Sequence, residues 1–289
     1  MQSALEIRHR IAAVGQTKKI TSAMQLVSSA RTHSVMQHCD YYARYFNRLQ
    51  AAMKEIIRSL DDIDSPYFHR RSEGRRAFIV ISSDKGMAGS YNSSVLKAAY
   101  KEISACKNPI VISVGKVGER FFLSKGVELF ESYKGLSGKQ ELGFSRTVMQ
   151  LIDELYIKKQ ASEIIVFYTS FFGKDKAKPK KRRILPILSE DLEEITCEEQ
   201  MEGAILHPNP RELFRELVPQ YVTGLLYGVI IQSYASENFM RMISMQSATK
   251  NATELQIKLL IKYNMARQSA ITQEITEITG ASEILMKED

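Results

Sequence analysis

Residues 220–279 read QYVTGLLYGVIIQSYASENFMRMISMQSATKNATELQIKLLIKYNMARQSAITQEITEIT, and this run decides the fold. It contains no proline and only two glycines, Gly224 and Gly228, both near its start. A stripe passes through Val222, Leu226, Val229 and Ser233, then Met240 and Ile243, then Ala252, Leu255, Leu259, Lys262, Ala266 and Ala270. Steps of mostly three and four mark one face of a helix and lie close to the 3.5 average of a left-handed coiled coil. At 1.5 Å per residue such a helix is about 90 Å long. A compact domain is only some tens of ångströms across. The rod is too long to be buried by its own domain, so something outside the domain must use it.

The opening segment supplies a candidate partner. Ile7, Ile11 and Val14, then Ile20, Met24 and Val27, fall on one helical stripe, with Ala23, Ser28, Ser29 and Ala30 among them. Small residues there let a second helix approach closely. Tyr45, Leu49, Ala52, Ile56 and Leu60 continue the spacing until Asp61-Asp62-Ile63-Asp64-Ser65-Pro66 ends the helix. Gly15 costs about 1 kcal/mol relative to alanine without forbidding a helix. Two such helices at opposite ends of a chain pair antiparallel when the middle brings their inner ends together. The expected organisation is an N-terminal coiled-coil helix over 1–62, an α/β domain over 63–208 and a C-terminal coiled-coil helix over 209–289. Its shape would be a globular head with a two-helix shaft.

The middle has a different period. Ala77-Phe78-Ile79-Val80-Ile81, Ile110-Val111-Ile112-Ser113-Val114 and Glu163-Ile164-Ile165-Val166-Phe167-Tyr168 are short apolar runs that read as buried strands. Helical stretches over about 93–105, after Gly115-Lys116-Val117-Gly118, and over about 144–159 separate them. Strands alternating with helices predict a small Rossmann-like α/β domain with a mainly parallel sheet covered on both faces.

The chemistry-bearing groups are sparse. The loop from Ser83 to Asn92 sits where a phosphate loop would, but it matches neither glycine-rich phosphate pattern, so it reads as a tight strand-to-helix turn or, with less support, a nucleotide site. The five histidines, His9, His33, His38, His69 and His207, show no metal-ligand spacing. Cys39, Cys106 and Cys197 are far apart and read as packing thiols. No segment has the length and apolarity of a membrane span, and no secretory leader opens the chain, so the expectation is a cytosolic protein. Net charge is +7. Residues 1–60 carry nine Lys/Arg against three Asp/Glu, a balance of +6, while 220–289 carry six against seven, a balance of −1. The opening helix is the cationic one, which fits either a solvated face or an acidic partner. Lys174-Asp175-Lys176-Ala177-Lys178-Pro179-Lys180-Lys181-Arg182-Arg183, lying between two strands, reads either as a mobile solvated turn or as a loop that binds nucleic acid or anionic headgroups.

Glu6–Val14 leading into Thr17–Val27 closely resembles the opening helix of the gamma subunit of bacterial-type F-type ATP synthases. Ala235–Asn238, Arg241–Met245, Ala248–Ala252 and above all Tyr263–Ile278 resemble that family's closing helix, and Ser83–Asn92 is similar to its Ser-Asp-Arg-Gly-Leu-Cys-Gly-Gly loop. The resemblance runs from end to end of the chain. It implies an antiparallel two-helix shaft inside a hexamer of alternating alpha and beta subunits, with the α/β domain beside the epsilon subunit and the membrane c-ring. It implies a non-catalytic rotor that couples ion flow to conformational cycling of the beta subunits. No cofactor, nucleic-acid partner or direct membrane insertion is implied, and the location implied is the cytoplasmic side of the bacterial plasma membrane, peripheral to the bilayer.

Position by position, the resemblance implies that Arg267, Gln268 and Thr272 engage a beta-subunit loop. It also implies that Met24, with Arg8, Lys18 and Lys19, faces an acidic segment of beta, and that Arg241 is a further contact on the closing helix. Several positions depart from the family pattern. Met265 stands where lysine is usual and Ala88 where cysteine is common. Leu206-His207-Pro208-Asn209-Pro210 replaces an acidic turn, making His207 and Asn209 the candidate contacts to c-ring or epsilon. No paired-cysteine insert is present, so thiol switching of the chloroplast type is not expected. Two other readings of the residues stay open: a coiled-coil tether whose basic loop binds membrane or nucleic acid, and a Rossmann-like nucleotide enzyme.

Overall fold

A computed structural model describes residues 4–60, 65–71, 73–135, 141–171, 177–188 and 209–285. In chain order the elements are α1 (Ala4–Arg58), β1 (Arg75–Ile81), α2 (Tyr91–Ala105), β2 (Ile110–Val114), α3 (Lys116–Ser124), β3 (Glu131–Tyr133), α4 (Glu141–Ile157), β4 (Ala161–Ser170), β5 (Lys178–Leu185) and α5 (Pro210–Leu285). The fold is α/β, with the two long terminal helices predicted from the sequence. Contacts group residues 28–241 into one compact unit and residues 1–27 with 242–289 into another.

In the larger unit the five strands are ordered β3-β2-β1-β4-β5. β1 pairs parallel with β2 and β4, β2 pairs parallel with β3, and β5 is antiparallel to β4. Alternation along each strand divides the core. Ala77, Ile79, Ile81, Ile112 and Val166 face a cluster completed by α4, by Phe46, Leu49, Met53 and Ile56 of α1, and by Tyr221 to Ile230 of α5. Phe78, Val80, Val111 and Phe167 face the other way, onto Val95, Leu96, Ala99 and Ile103 of α2 and Phe122 of α3. Within this unit α1 and α5 run antiparallel, because Tyr42 bonds the carbonyl of Gly224 while Phe46 stacks on the earlier Tyr221.

In the smaller unit the pairing is antiparallel as well. Gly15 faces Gln256, and further along α1 Thr21 accepts a 2.8 Å hydrogen bond from Thr249. The period on α1 is a strict seven: Ile7, Val14, Thr21, Ser28, Val35, Tyr42, Leu49 and Ile56 are all buried or half-buried. On α5 Met245, Ala252 and Leu259 keep the same step. Seven residues in two turns is the coiled-coil repeat.

Two expectations are corrected. Ile20 and Val27, placed on the inner stripe from sequence, are 61% and 52% exposed, and their neighbours Thr21 and Ser28 are buried instead. The hydroxyl of Thr21 is satisfied on its own helix at the Lys18 carbonyl, so the small polar side chain is tolerated inside, and the apolar one is left facing out. The basic run is not a loop over its second half, since Lys178–Leu185 forms the edge strand β5. Charged side chains and a proline suit an edge, where they oppose further pairing, and Ile184 and Leu185 anchor the strand in the core. Lys174 to Lys176 lie outside the described residues. Helix α5 spans Pro210–Leu285 and continues through Pro219.

Asn209 sits at the start of α5. Its side-chain oxygen accepts a 2.9 Å hydrogen bond from the Glu212 amide, and Pro210 follows at the first helical position. Asn209→Ala is expected to cost about 1 kcal/mol, read as a lower midpoint in denaturant unfolding; an unchanged midpoint would show that the cap carries no stability.

Candidate partner-binding surfaces

The sequence-predicted contacts fall in four places. Arg267, Gln268 and Thr272 lie on the last third of α5, where every residue from 267 to 279 is exposed. Gln268 and Thr272 are one turn apart, and the Thr272 hydroxyl donates to the Gln268 carbonyl at 2.9 Å. A helical stretch of this length with no packing on any side is marginal in water by itself. It presents a polar group on a bare rod rather than a pocket.

On α1, Arg8 and Lys19 are exposed while Lys18 and Met24 are half-buried. At about 100° per residue, Arg8 and Lys19 lie about 20° apart around the helix and Met24 about 160° from Arg8. The helix therefore brings the first two together and sets Met24 on a different side. A partner touching all of them has to wrap the helix. His207 lies outside the described residues, and Asn209 is occupied as the cap of α5.

Arg241 is placed differently from the other cations, being only 6% exposed. Its Nη1 pairs with Glu237 at 2.7 Å, and its Nη2 donates to the carbonyls of Lys85 at 3.1 Å and Gly86 at 3.4 Å. Burial pushes the Glu237 carboxyl above its usual range, with Arg241 opposing that shift. Glu237 is the residue that sequence reasoning passed over. The available signal was a Glu and an Arg four apart on the inward face of a helix, where charge has to be paired.

The crevice beyond the carboxyl ends of the central strands is where open α/β sheets take ligands, at the point where strand order reverses. Here that point lies between β1 and β4, and side chains of α5 fill it. Ser236 donates to the Thr169 carbonyl at 3.0 Å, Ser233 meets the hydroxyl of Tyr91 at 2.8 Å, and Arg241 reaches the β1–α2 turn. That turn offers carbonyl oxygens, which repel a phosphate. Of its amides, that of Ser83 is taken by Asn92. The Asp84 carboxylate takes those of Lys116 and Gly135 from the adjoining loops. Gly115, at φ +93°, would set a Cβ 2.3 Å from the Ser82 carbonyl, so the neighbouring turn has no spare room. This packing opposes the nucleotide reading of Ser83–Asn92.

No group of three or more His, Cys, Asp or Glu side chains among the described residues is placed to hold a metal ion. Burial, with a smaller contribution from Asp40, pushes the Cys39 thiol up to about 11, which keeps it protonated and unreactive. Cys197 lies outside the described residues. No described helix is long and apolar enough to cross a membrane.

Comparison with known proteins agrees with this geometry. The ATP synthase family model matches residues 3–285. The ATP synthase gamma chain of Acetivibrio thermocellus is 32% identical over 289 residues, covering 97% of this chain and 98% of that one. Those of Caldanaerobacter subterraneus and Staphylococcus epidermidis are 33% and 32% identical over 96% and 99% of this chain, and over 98% and 100% of their own lengths. Among solved structures, the rotor of Euglena gracilis mitochondrial ATP synthase aligns with a TM-score of 0.67 over 93% of this chain and 98% of that one, at 14% identity. The central stalk and c-ring structure from Tetrahymena thermophila gives 0.59 over 79% and 99%, at 16% identity. The match of the family model to residues 3–285, with 32–33% identity to bacterial gamma chains over nearly the whole chain, shows that the chain belongs to the ATP synthase gamma-chain family.

Proposed function

We propose that this gamma chain is the turning central stalk of a bacterial ATP synthase, coupling ion flow through a membrane c-ring to conformational cycling of catalytic beta subunits. It hydrolyses nothing itself. One observation carries the reading. Of the twenty large apolar side chains that stand exposed among the described residues, thirteen lie between residues 5 and 27 or 243 and 278, the smaller of the two units. Exposed apolar surface concentrated on a helix pair marks a surface that another protein covers. A sleeve made by alpha and beta subunits would cover it, and a sleeve also reaches the opposite sides of α1 that carry Arg8 and Met24.

In this reading Arg267, Gln268 and Thr272 form a polar catch near the end of α5. Arg8, Lys18, Lys19 and Met24 are a bearing surface against acidic beta segments. Arg241 serves the contact from beneath, by holding the adjoining turn. Epsilon and the c-ring meet the sheet-bearing unit, near His207 and Asn209, on the cytoplasmic side of the plasma membrane. Exposed ion pairs contribute about 0–1 kcal/mol each, which suits contacts that must be made and released every turn.

The test is co-purification. A tagged chain expressed with the alpha, beta and epsilon subunits is expected to recover all three with ATPase activity; recovery of the chain alone would sink the proposal. The rival tether reading predicts instead steep salt-dependent binding of nucleic acid or anionic vesicles through Lys178–Arg183.

A further inference from the structure

We propose that Glu237 and Arg241 are positioning residues of this rotor, clamping the Lys85–Gly86 turn onto α5 so that sheet and helix turn as one body. The inference rests on the rotor reading above.

The clamp has a rigid side and a moving side. On the rigid side, the turn is tied to the ends of two other strands. Asp84 accepts from the amide of Lys116, just after β2, at 3.1 Å and from that of Gly135, just after β3, at 2.8 Å. Ser83 and Asn92 close the loop on itself, with the Ser83 amide donating to the Asn92 side-chain oxygen at 3.0 Å. Force applied to the Lys85 and Gly86 carbonyls is therefore shared by the ends of β1, β2 and β3 rather than taken by one flexible loop. On the moving side, α5 is gripped at Ser233, Ser236 and Arg241, and Glu237 on the same helix face pairs with Arg241.

Chemistry separates this pair from ordinary packing. Two apolar side chains would join a helix to a turn with less desolvation cost than a buried ion pair. What the pair adds is direction. The planar guanidinium holds Glu237 with one nitrogen and two backbone carbonyls with another, which fixes both the distance and the rotation between turn and helix. Apolar contacts permit sliding, whereas this fork resists it. Arg241 is also the last α5 residue of the larger unit, and the helix continues for more than forty residues beyond it.

The decisive variant is Glu237→Gln, which leaves size and shape nearly unchanged and removes the charge that holds Arg241. In the full chain, amide hydrogen exchange at Lys85–Met87 is expected to quicken several-fold; unchanged exchange would overturn the clamp whether or not the complex assembles. In membranes carrying the whole ATP synthase, the number of ions pumped per ATP hydrolysed is expected to fall several-fold while alpha and beta are still recovered with the chain. Arg241→Lys, which keeps the charge and loses the fork, is expected to fall between wild type and Glu237→Gln. A lower melting temperature with an unchanged pumping ratio would reduce the pair to packing and refute the proposal. Failure of the wild-type chain to assemble would refute the rotor reading instead, and the exchange rates alone would then decide whether the clamp exists.

Discussion

Removing the residues after Leu260 is expected to leave the chain folded and able to join alpha and beta, but to abolish most ATP-driven ion pumping. Residues 267–279 are all exposed, so their loss removes little packing from the chain. Moving a two-state site from one conformation almost wholly to the other takes a differential binding energy of about 5.5 kcal/mol. Three exposed polar contacts from Arg267, Gln268 and Thr272 supply at most about 3 kcal/mol between them. The remainder must come from apolar contact, and Ile261, Met265, Ile271, Ile275 and Ile278 lie on the same deleted segment. At about 1.5–3 kcal/mol for fully covering a side chain of this size, and less for these half-exposed ones, they bridge the gap. Truncation removes both contributions, whereas Gln268→Ala or Thr272→Ala alone should weaken coupling only in part. The measurement is ion pumping per ATP in membranes carrying the truncated chain. Pumping at the wild-type ratio would show that the tip carries no torque.

The second large effect is expected at Gly228, where leucine should destabilise the sheet-bearing unit by more than about 3 kcal/mol. A Cβ built there meets the Tyr42 ring carbon Cε1 at 2.7 Å and its hydroxyl at 2.9 Å. Tyr42 is held in place by its neighbours. Its ring stacks on Phe46 at 5.4 Å, stands edge-on to Tyr227 at 5.1 Å, and its hydroxyl donates to the Gly224 carbonyl. Gly228→Ala sets a helix-propensity gain of about 1 kcal/mol against an overpacking cost of about 1–3 kcal/mol, so the smaller change should still lose. Gly143 is the control, because it lies in α4 with nothing within 4 Å of the added carbon. There alanine should gain about 0.5 kcal/mol. At about 2–4 °C per kcal/mol, thermal unfolding separates the three variants, with Gly228→Leu lower by about 10 °C. A wild-type melting temperature for Gly228→Leu would mean that the helix crossing is looser than the contacts require.

What could be read from the amino acids follows from how local each cause is. Helix α5 was legible from Gln220 onward because the absence of proline is a local property, whereas its passage through Pro219 was not. A proline at position 219 reads as a boundary until the surrounding packing is known to hold the helix through it. β1, β2 and β4 were legible as continuous apolar runs because they are buried on both faces. β3, three residues long with none fully buried, leaves no such trace. β5 was hidden for the opposite reason, since its charges describe the solvent side of an edge and only Ile184 and Leu185 report the sheet. The inner face of α1 is off by a single residue at two repeats, Ile20 and Val27, while Ile7, Val14, Leu49 and Ile56 lie where their hydropathy puts them. Hydropathy favours Ile20 and Val27, whereas the strict seven-residue period selects Thr21 and Ser28, whose size a close helix contact needs. For the candidate site, exposed positions such as Arg267 and Gln268 came through a likeness to relatives. The fork of Arg241 depends on backbone carbonyls 155 and 156 positions away, which no spacing rule reaches.

The filled crevice also changes what kind of interaction holds the halves of this unit together. A sheet of this design ordinarily meets its ligand from solution, with an occupancy that varies with concentration. Here the occupant is a stretch of the same polypeptide, presented at an effective concentration fixed by the covalent chain. Occupancy then has no dependence on any metabolite, and evolution can tune the hold one side chain at a time while the backbone keeps the two parts from separating. The sheet has become a socket whose plug is permanently wired in.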